Sequence, residues 1–215
     1  MPSKRAVIFD MDGVLTDSEP FYAEAINVVL AARGLHLTEK DHEAIMGSSI
    51  DYTWEWVTRR FQLEGSPQQW MASYDRAVVD ILGRKVEPSA GLYPLLDQLE
   101  KRNVKLALAT SSQLNWALTV LKRLDVHNRF PIVVTTEMVE GAKPAPDIYL
   151  LAAKKLRLLP ADCVAIEDSP RGIGSAKAAG ITTVALRTPS TANLDISAAD
   201  HVIDTLSQFD LAWLD

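Results

Sequence analysis

The sequence contains very little cysteine: Cys163 is the only one among its 215 residues. No disulfide bond can therefore form within the chain, and nothing in the composition indicates an oxidising compartment. Cys163 lies inside the apolar run CVAI, from which we expect a small, buried side chain.

Long apolar segments are absent as well. No run approaches the roughly 18 residues that a membrane-spanning helix requires, and the apolar stretch within MPSKRAVIFD is too short for a signal peptide. We therefore expect a cytoplasmic protein that does not associate with a membrane.

The chain also lacks an excess of positive charge, since 22 Lys and Arg residues stand against 28 Asp and Glu residues, a formal net charge of −6. This balance excludes the broad basic surface that nonspecific nucleic-acid binding needs, but it allows a local basic pocket for a small phosphorylated molecule. The content of 47% hydrophobic and 23% charged residues is typical of one folded domain, or of a core with a smaller insert. We expect a monomer or a weak homodimer.

Strand and helix patterns alternate over the last part of the chain. Short apolar runs bounded by turn residues predict five buried strands and a sixth at an edge. These runs are 6–9, 104–109, 132–134, 163–166, 182–186 and 201–203. Helical periodicity lies between them, as in the helix after the second strand, where Leu118, Leu121 and Leu124 are predicted to share the buried face. This alternation predicts an α/β fold, a doubly wound parallel sheet with helices on both faces.

The segment 17–87 interrupts the alternation, because it has helical periodicity and no clear strand pattern. We predict that it forms a helical cap domain and that 1–16 and 88–215 together form the α/β core. Hinges are predicted near 17–20 and 87–91, where the cap would open and close.

The predicted cap contains three of the five tryptophans, Trp54, Trp56 and Trp70. We expect them to form its small apolar core, and a platform on which a ligand stacks is the alternative. Asp17 and Ser18 are expected to cap its first helix.

Polar and charged side chains follow the strands of the predicted core. Ligands bind at the carboxyl ends of strands in open parallel sheets, so these residues form the candidate site. They are Asp10 and Asp12 after the first strand, Thr110 and Ser111 after the second, Lys143 after the third, and Glu167 and Asp168 after the fourth. Four carboxylates that converge without a cation would repel one another. A hard divalent ion resolves this repulsion, so we predict a Mg²⁺ site.

Asp10 and Asp12 lie two residues apart, so in an extended backbone both carboxylates can address the same substrate atom. One can attack while the other handles a proton. A phosphate dianion repels a carboxylate, and Mg²⁺ with Lys143 would neutralise that repulsion and hold the phosphoryl oxygens. Thr110 and the backbone amides around Ser111 could bind the remaining oxygens.

Simpler interpretations exist for several of these residues. Asp10 and Asp12 could be turn or helix-capping acids, and Thr110 could be a helix cap. Taken alone, Lys143 could be a solvated lysine.

Four segments together resemble the motifs of the haloacid dehalogenase-like hydrolase superfamily. They are DMDGVLTDS, LALATSS, AKPAPDIY and VAIEDSPRGIGSAKAAG, and they occur in this order across nearly the whole chain. The helical insert resembles the C1 cap of that family, and the nearest group is the β-phosphoglucomutase-like one with its sugar-phosphate phosphatases. The resemblance implies a Rossmann-like core with the strand order five-four-one-two-three and an inserted helical cap.

The resemblance also implies a role for each matched residue. Asp10 would be the nucleophile that forms an aspartyl-phosphate. Asp12 would be the general acid and base. Thr110 and Lys143 would bind the phosphoryl group.

A metal site follows from the same resemblance. Mg²⁺ would be surrounded by Asp10, the Asp12 carbonyl, Glu167 and Asp168. Glu167 would either bind the ion directly or contact the groups that bind it.

The reaction that the resemblance implies is hydrolysis of a small phosphate monoester, such as a sugar phosphate or a similar metabolite. Dehalogenases of the family typically lack the second acid, so Asp12 sets that activity aside. The group's mutases carry a histidine where Tyr22 stands and an arginine in the cap segment after a glycine. The corresponding segment here, MGSSIDYTW, has no arginine after Gly47. Phosphoglucomutase-type transfer and a catalytically inert binding protein remain as alternatives.

Closure of the cap would present the loop 47–51 to the leaving group.

Overall fold

The structure is a computed structural model that describes residues 4–45 and 48–215. Gly47, with which the predicted loop 47–51 begins, lies outside the described residues.

The chain divides into two compact units, one of Met1–Asp17 with Val86–Asp215 and one of Ser18–Lys85. We call the first the sheet unit and the second the helical unit. The role of the helical unit as a cap stays a prediction.

Eight α-helices lie within the described ranges. They are α1 (Glu19–Ala31), α2 (Glu39–Ile45), α3 (Ile50–Arg60), α4 (Pro67–Lys85), α5 (Leu92–Lys101), α6 (Leu114–Arg123), α7 (Asp147–Leu156) and α8 (Pro170–Ala178). The first four belong to the helical unit and the last four to the sheet unit. Within the part of the chain that is described, none of them has the length and apolarity to cross a membrane.

The sheet unit is built on six strands. They are β1 (Ala6–Phe9), β2 (Lys105–Thr110), β3 (Ile132–Thr135), β4 (Cys163–Glu167), β5 (Thr182–Leu186) and β6 (His201–Ile203). Every pairing is parallel, and the order across the sheet is β3-β2-β1-β4-β5-β6. The predicted fold class is confirmed, and so is the predicted strand order, with β6 added at the edge beside β5. β1 therefore lies at the centre, between β2 and β4.

Both faces of the sheet are covered, so every residue of β1 is fully buried. Ala6 and Ile8 share an apolar cluster with side chains of α7. Phe9 points to the opposite face, because side chains alternate along a strand, and its ring meets Phe130 edge-on at 5.5 Å. Cys163 lies in the same cluster as Ala6, which confirms its predicted burial.

The tryptophans of the helical unit do not all belong to its core. Trp54 is completely buried and packs against the Tyr74 ring, with 5.4 Å between ring centroids. Trp56 and Trp70 are only half-buried. The Arg33 guanidinium lies 4.2 Å from the centroid of the Trp70 ring, a cation–π contact. The prediction of an apolar tryptophan core is therefore right for Trp54 and wrong for the other two.

The start of α1 also differs from the prediction. Ser18 occupies the N-cap position, but its side chain makes no capping hydrogen bond. Asp17 instead accepts a hydrogen bond from Ser190 Oγ at 2.7 Å. The predicted capping by these two side chains is wrong, and Pro20 in the first turn offers a physical reason, because proline has no N–H that needs a partner.

Leu121 of helix α6 and Leu124 at its end are buried as predicted, but the third leucine of the predicted face is not. Its buried side chains are Trp116, Ala117, Val120 and Leu121. Leu118 was expected among them but is 48% exposed. At the angular spacing of an α-helix, Leu118 lies roughly 120° from the centre of the buried stripe. The predicted stripe was drawn through leucines alone and is therefore shifted from the buried face, which also includes Trp116 and the small Ala117.

The two leucines of α6 give a matched test of this packing. We expect Leu121→Ala to lower the free energy of unfolding by about 2–5 kcal/mol, because it opens a cavity in a core position. Leu118→Ala should change it by about 0.5 kcal/mol or less, since half of that side chain is already in water. Urea denaturation followed by circular dichroism measures both values. Equal losses for the two variants would contradict the packing described.

Candidate active site

The central position of β1 brings two groups of acids together. β1 pairs in register with β4, so that Phe9 lies opposite Ile166. The next residues, Asp10 and Glu167, are therefore neighbours at the carboxyl edge of the sheet. The Asp10 backbone N–H continues the ladder by donating to the Ile166 carbonyl at 2.9 Å. The parallel pairing of the two strands thus places the predicted acids side by side.

Lys143 lies between these acids. Its Nζ donates to Asp10 Oδ1 at 2.6 Å, to Glu167 Oε1 at 2.5 Å and to the Ala109 carbonyl at 3.0 Å. Only 6% of the side chain is exposed, so the simpler interpretation as a solvated lysine is wrong. An ammonium group has three N–H donors, and all three are occupied here.

The segment that carries Lys143 is fixed by helix α8. The Arg171 guanidinium donates to the Lys143 carbonyl from Nε at 3.1 Å and from Nη2 at 2.6 Å. Ser175 Oγ donates to the Ala145 carbonyl at 2.6 Å. Sequence reasoning missed both residues, because a helix after an acidic motif does not reveal which of its side chains turn back to a preceding loop.

Asp10, Glu167 and Asp168 form a buried cluster of carboxylates. Each contributes an oxygen, and these atoms lie within 4.8 Å of one another. Burial raises the pKa of Asp10 to about 8, against the lowering effect of Lys143. Burial, with the nearby Asp10 and Glu167 charges, raises the pKa of Asp168 to about 9. One ammonium cannot balance three ionised carboxylates, so full ionisation of the cluster would leave negative charge without a counter-ion.

A hard divalent cation fits this cluster. Mg²⁺ prefers oxygen ligands and is commonly held by one or two carboxylates with water. The raised pKa values of Asp10 and Asp168 show that their ionised forms lack a sufficient counter-charge. Of the predicted metal residues, Asp12 is not part of the carboxylate cluster among the described residues, and its expected contribution was through the backbone carbonyl.

Asp12 is oriented by hydroxyl groups at the end of β2. Ser112 Oγ donates to Asp12 Oδ2 at 2.7 Å, and Thr110 Oγ1 contacts the same oxygen at 3.4 Å. Thr110 Oγ1 also accepts from the Ser112 N–H at 3.0 Å. Thr110 does not cap the following helix, since the N-cap of α6 is Gln113. The simpler interpretation of Thr110 is therefore wrong.

Of the two serines after β2, the structure gives Ser112 the buried position. Ser111, which was predicted to line the phosphate site, has an exposed side chain, whereas Ser112 is 7% exposed and contacts Asp12. Both serines lie in the same short motif, so spacing did not distinguish them. The predicted use of the backbone amide at Ser111 is independent of this side-chain difference.

Two glycines allow the acids to approach the backbone. A Cβ on Gly13 would lie 1.9 Å from Asp168 Oδ2, and the φ angle of Gly13 is +77°. A Cβ on Gly172, in the first turn of α8, would lie 2.0 Å from Glu167 Oε2. Both positions require glycine because any side chain would occupy the space of a carboxylate.

Tyr149 adds a contact that the sequence did not reveal. Its hydroxyl donates to Glu167 Oε1 at 2.6 Å, and both side chains are fully buried. Burial and the neighbouring Glu167 charge raise the pKa of Tyr149 well above its ordinary value, so the phenol stays protonated. The tyrosine lies in the first turn of α7, six residues beyond Lys143 in the segment AKPAPDIY.

The chain resembles known proteins over most of its length. A model of the haloacid dehalogenase-like hydrolase family matches residues 7–186. The chain is 35% identical over 179 residues to the phosphorylated carbohydrates phosphatase of Thermotoga maritima, covering 83% of each protein. It is 32% identical over 187 residues to the β-phosphoglucomutase of Bacillus subtilis, covering 84% of this chain and 82% of that one.

A solved structure supports the same fold. The crystal structure of CbbY from Rhodobacter sphaeroides in complex with phosphate matches this chain with a TM-score of 0.87 at 23% identity. The match covers 98% of each chain. At that identity, the likeness shows the fold alone.

Two glycines of α8 allow a matched test of the site. We expect Gly172→Ala to lower turnover by about tenfold or more, because the new methyl group displaces the Glu167 carboxylate that contacts Lys143. Gly174→Ala is the control, since the nearest atom to its new Cβ would be Pro144 Cβ at an ordinary 3.5 Å. That variant should keep its activity and gain up to about 1 kcal/mol of stability from better helix propensity. Steady-state kinetics and thermal melts measure both, and a Gly172→Ala variant with normal turnover would contradict the geometry.

Proposed function

The chain belongs to the haloacid dehalogenase-like hydrolases and is a phosphoric monoester hydrolase, and we propose that it hydrolyses a small phosphate monoester such as a sugar phosphate. We further propose that the reaction depends on Mg²⁺ and passes through a phosphate ester of Asp10. The observation that carries this proposal is the contact of Lys143 Nζ with Asp10 Oδ1 beside two further buried carboxylates. This arrangement supports the proposal because it sets a cation beside the carboxylate that would attack, where it can offset the repulsion from the negatively charged phosphoryl oxygens.

In the first half of the proposed reaction, an Asp10 carboxylate oxygen attacks phosphorus. The bond from phosphorus to the ester oxygen breaks, and Asp12 gives a proton to the oxygen that leaves with the alcohol. The hydrogen bond from Ser112 to Asp12 supports this role, because it fixes one oxygen of the carboxyl group that would give the proton.

In the second half, water releases the phosphate. Asp12 now accepts a proton from a water molecule, whose oxygen bonds to phosphorus as the bond to Asp10 breaks. The products are inorganic phosphate and a free Asp10 carboxylate, and Asp12 is protonated again for the next turnover. Because Asp12 gives one proton to the alcohol and then takes another from water, the two halves require no further acid or base.

Lys143, Thr110 and the backbone amide at Ser111 are proposed to bind the phosphoryl oxygens. The three N–H donors of Lys143 are occupied, so contact with a phosphoryl oxygen requires one of them to be exchanged. We expect the Lys143 N–H that donates to Asp10 to be the one that is exchanged, because the negative charge of Asp10 falls when its oxygen bonds to phosphorus.

The residues that would hold Mg²⁺ are Asp10, Asp168 and the Asp12 carbonyl. When bound, the ion would draw negative charge from the phosphoryl oxygens. Glu167 contributes its charge to the same cluster and fixes Lys143.

We propose that the helical unit acts as a cap domain and selects the substrate. The helical unit is compact and distinct in the chain, as an inserted cap would be. A phosphate-binding core alone accepts many monoesters, so discrimination between alcohols needs residues outside it.

Phosphoryl transfer of the mutase type is the second candidate, because a β-phosphoglucomutase is among the relatives. Such an enzyme returns the phosphoryl group to a sugar instead of to water. An inert binding protein is the weaker alternative, since Asp10, Asp12, Lys143 and Asp168 are all present at the site.

The function is tested with the purified full chain. Incubated with Mg²⁺ and p-nitrophenyl phosphate or a panel of hexose and pentose phosphates, it should release inorganic phosphate, and chelation of the metal should stop the release. Asp10→Asn should lower kcat by a factor of about 10³ or more, because an amide oxygen is a poor nucleophile. Asp97→Asn, at an exposed carboxylate paired with Arg129, is the matched control and should stay within about twofold of the native chain.

Two results would count against the proposal. Activity that survives Asp10→Asn would exclude the covalent route. Conversion of a hexose phosphate to its isomer without net phosphate release, in the presence of a sugar bisphosphate, would identify a mutase instead.

A further inference from the structure

We propose that Tyr149 is a positioning residue, whose hydroxyl keeps the Glu167 carboxylate in place while Lys143 turns one of its hydrogen bonds to the phosphoryl group. The inference rests on the proposed function and adds a residue that none of the matched motif roles includes. It stands on three features of the buried site, which are the shared oxygen on Glu167, the saturated donors of Lys143 and the position of the Tyr149 ring.

Tyr149 and Lys143 share one acceptor. Glu167 Oε1 accepts from the Tyr149 hydroxyl at 2.6 Å and from Lys143 Nζ at 2.5 Å. The other oxygen, Oε2, has only longer contacts, with the Asp168 N–H at 3.3 Å and Ser169 Oγ at 3.5 Å. The two short hydrogen bonds on Oε1 are therefore the main interactions that satisfy this carboxylate.

Glu167 has no access to water, since its exposure is 0%. A buried carboxylate that loses a hydrogen-bond donor pays a large desolvation penalty. If Lys143 moves even slightly towards a phosphoryl oxygen, its bond to Oε1 weakens. The Tyr149 hydroxyl remains as a donor that belongs to a different element, α7, and does not move with the lysine ammonium.

The tyrosine ring contacts the lysine as well. Lys143 Nζ lies 5.1 Å from the centroid of the Tyr149 ring, within the range of a cation–π contact. The ring therefore bounds the space on one side of the ammonium, while the hydroxyl restrains the carboxylate on which the ammonium rests. These two contributions can be separated, because phenylalanine keeps the ring and loses only the hydroxyl.

Loss of the Tyr149 hydroxyl should destabilise the transition state more than the bound substrate. Charge on the phosphoryl oxygens and the position of Lys143 change most as phosphorus is transferred, whereas the substrate binds before this change. Loss of the Tyr149 hydroxyl should therefore lower kcat and leave KM nearly unchanged. A side chain that only stabilised the fold would lower the thermal stability without this division between kcat and KM.

The first experiment compares two Tyr→Phe variants of the full chain. Tyr149→Phe should lower kcat by about ten- to thirtyfold, the effect of one hydrogen bond to a charged group, with KM within about twofold. Tyr93→Phe is the matched control, because Tyr93 also donates one hydrogen bond, to the Leu124 carbonyl at 3.0 Å, but on α5 at the surface. It should leave both constants unchanged within about twofold.

The second experiment does not depend on turnover. Calorimetry measures the affinity for orthovanadate, which resembles the phosphoryl group in transfer, and for inorganic phosphate. Tyr149→Phe should weaken the affinity for orthovanadate by about the same factor as it lowers kcat. The affinity for inorganic phosphate should stay within about twofold of the native value. In a Glu167→Gln background, the same substitution should have little further effect on orthovanadate, because the hydroxyl acts through the carboxylate that is no longer there.

Three results would overturn the inference. They are a Tyr149→Phe variant with native kcat, a loss confined to KM, and an equal loss of orthovanadate affinity with and without the Glu167 carboxylate. A native chain that releases no phosphate from any monoester would instead contradict the proposed function. The failures of the two ideas are therefore distinguishable.

Discussion

The site depends on the charge imbalance that arises when its buried carboxyl groups are ionised. Three carboxylates, from Asp10, Glu167 and Asp168, meet at the carboxyl edge of the sheet, and Lys143 is the ammonium that lies among them. Burial raises the pKa of Asp10 and of Asp168, and this single cation offsets only part of the rise. Such a cluster is costly in a protein interior unless a further cation joins it. A divalent ion bound among these side chains would supply the missing positive charge.

Much of the local architecture serves to hold this cluster together. The β1–β4 pairing brings Asp10 beside Glu167, and Gly13 and Gly172 give the carboxylates room against the backbone. Arg171 fixes the segment of Lys143 through its carbonyl oxygen. Each of these contacts lies within the sheet unit. These contacts do not explain which substrate the protein selects.

Sequence patterns predicted the residues at strand ends and missed those on helices. Parallel strands end at one edge of a sheet, so Asp10, Lys143 and Asp168 could be brought together from their order in the chain alone. Tyr149 and Arg171 contact the same site, but they do so because of the rotation of α7 and α8, which the sequence does not specify. The same reason explains the error at Leu118, which was predicted to share the buried face of α6 with two other leucines but is half exposed. The length over which a side chain extends to a partner and the rotation of a helix about its axis depend on tertiary packing. A local sequence pattern does not specify either.

The most direct test of the charge imbalance is titration calorimetry with Mg²⁺ in buffers of high and low ionisation enthalpy. Because the pKa of Asp10 lies at about 8 and that of Asp168 at about 9, these carboxyls carry protons near neutral pH, and an ion bound among them must displace them. We expect about one proton or more to be released for each ion bound near neutral pH, and fewer as the pH rises above both pKa values. Binding near neutral pH without proton release, or no binding at millimolar Mg²⁺, would contradict the account.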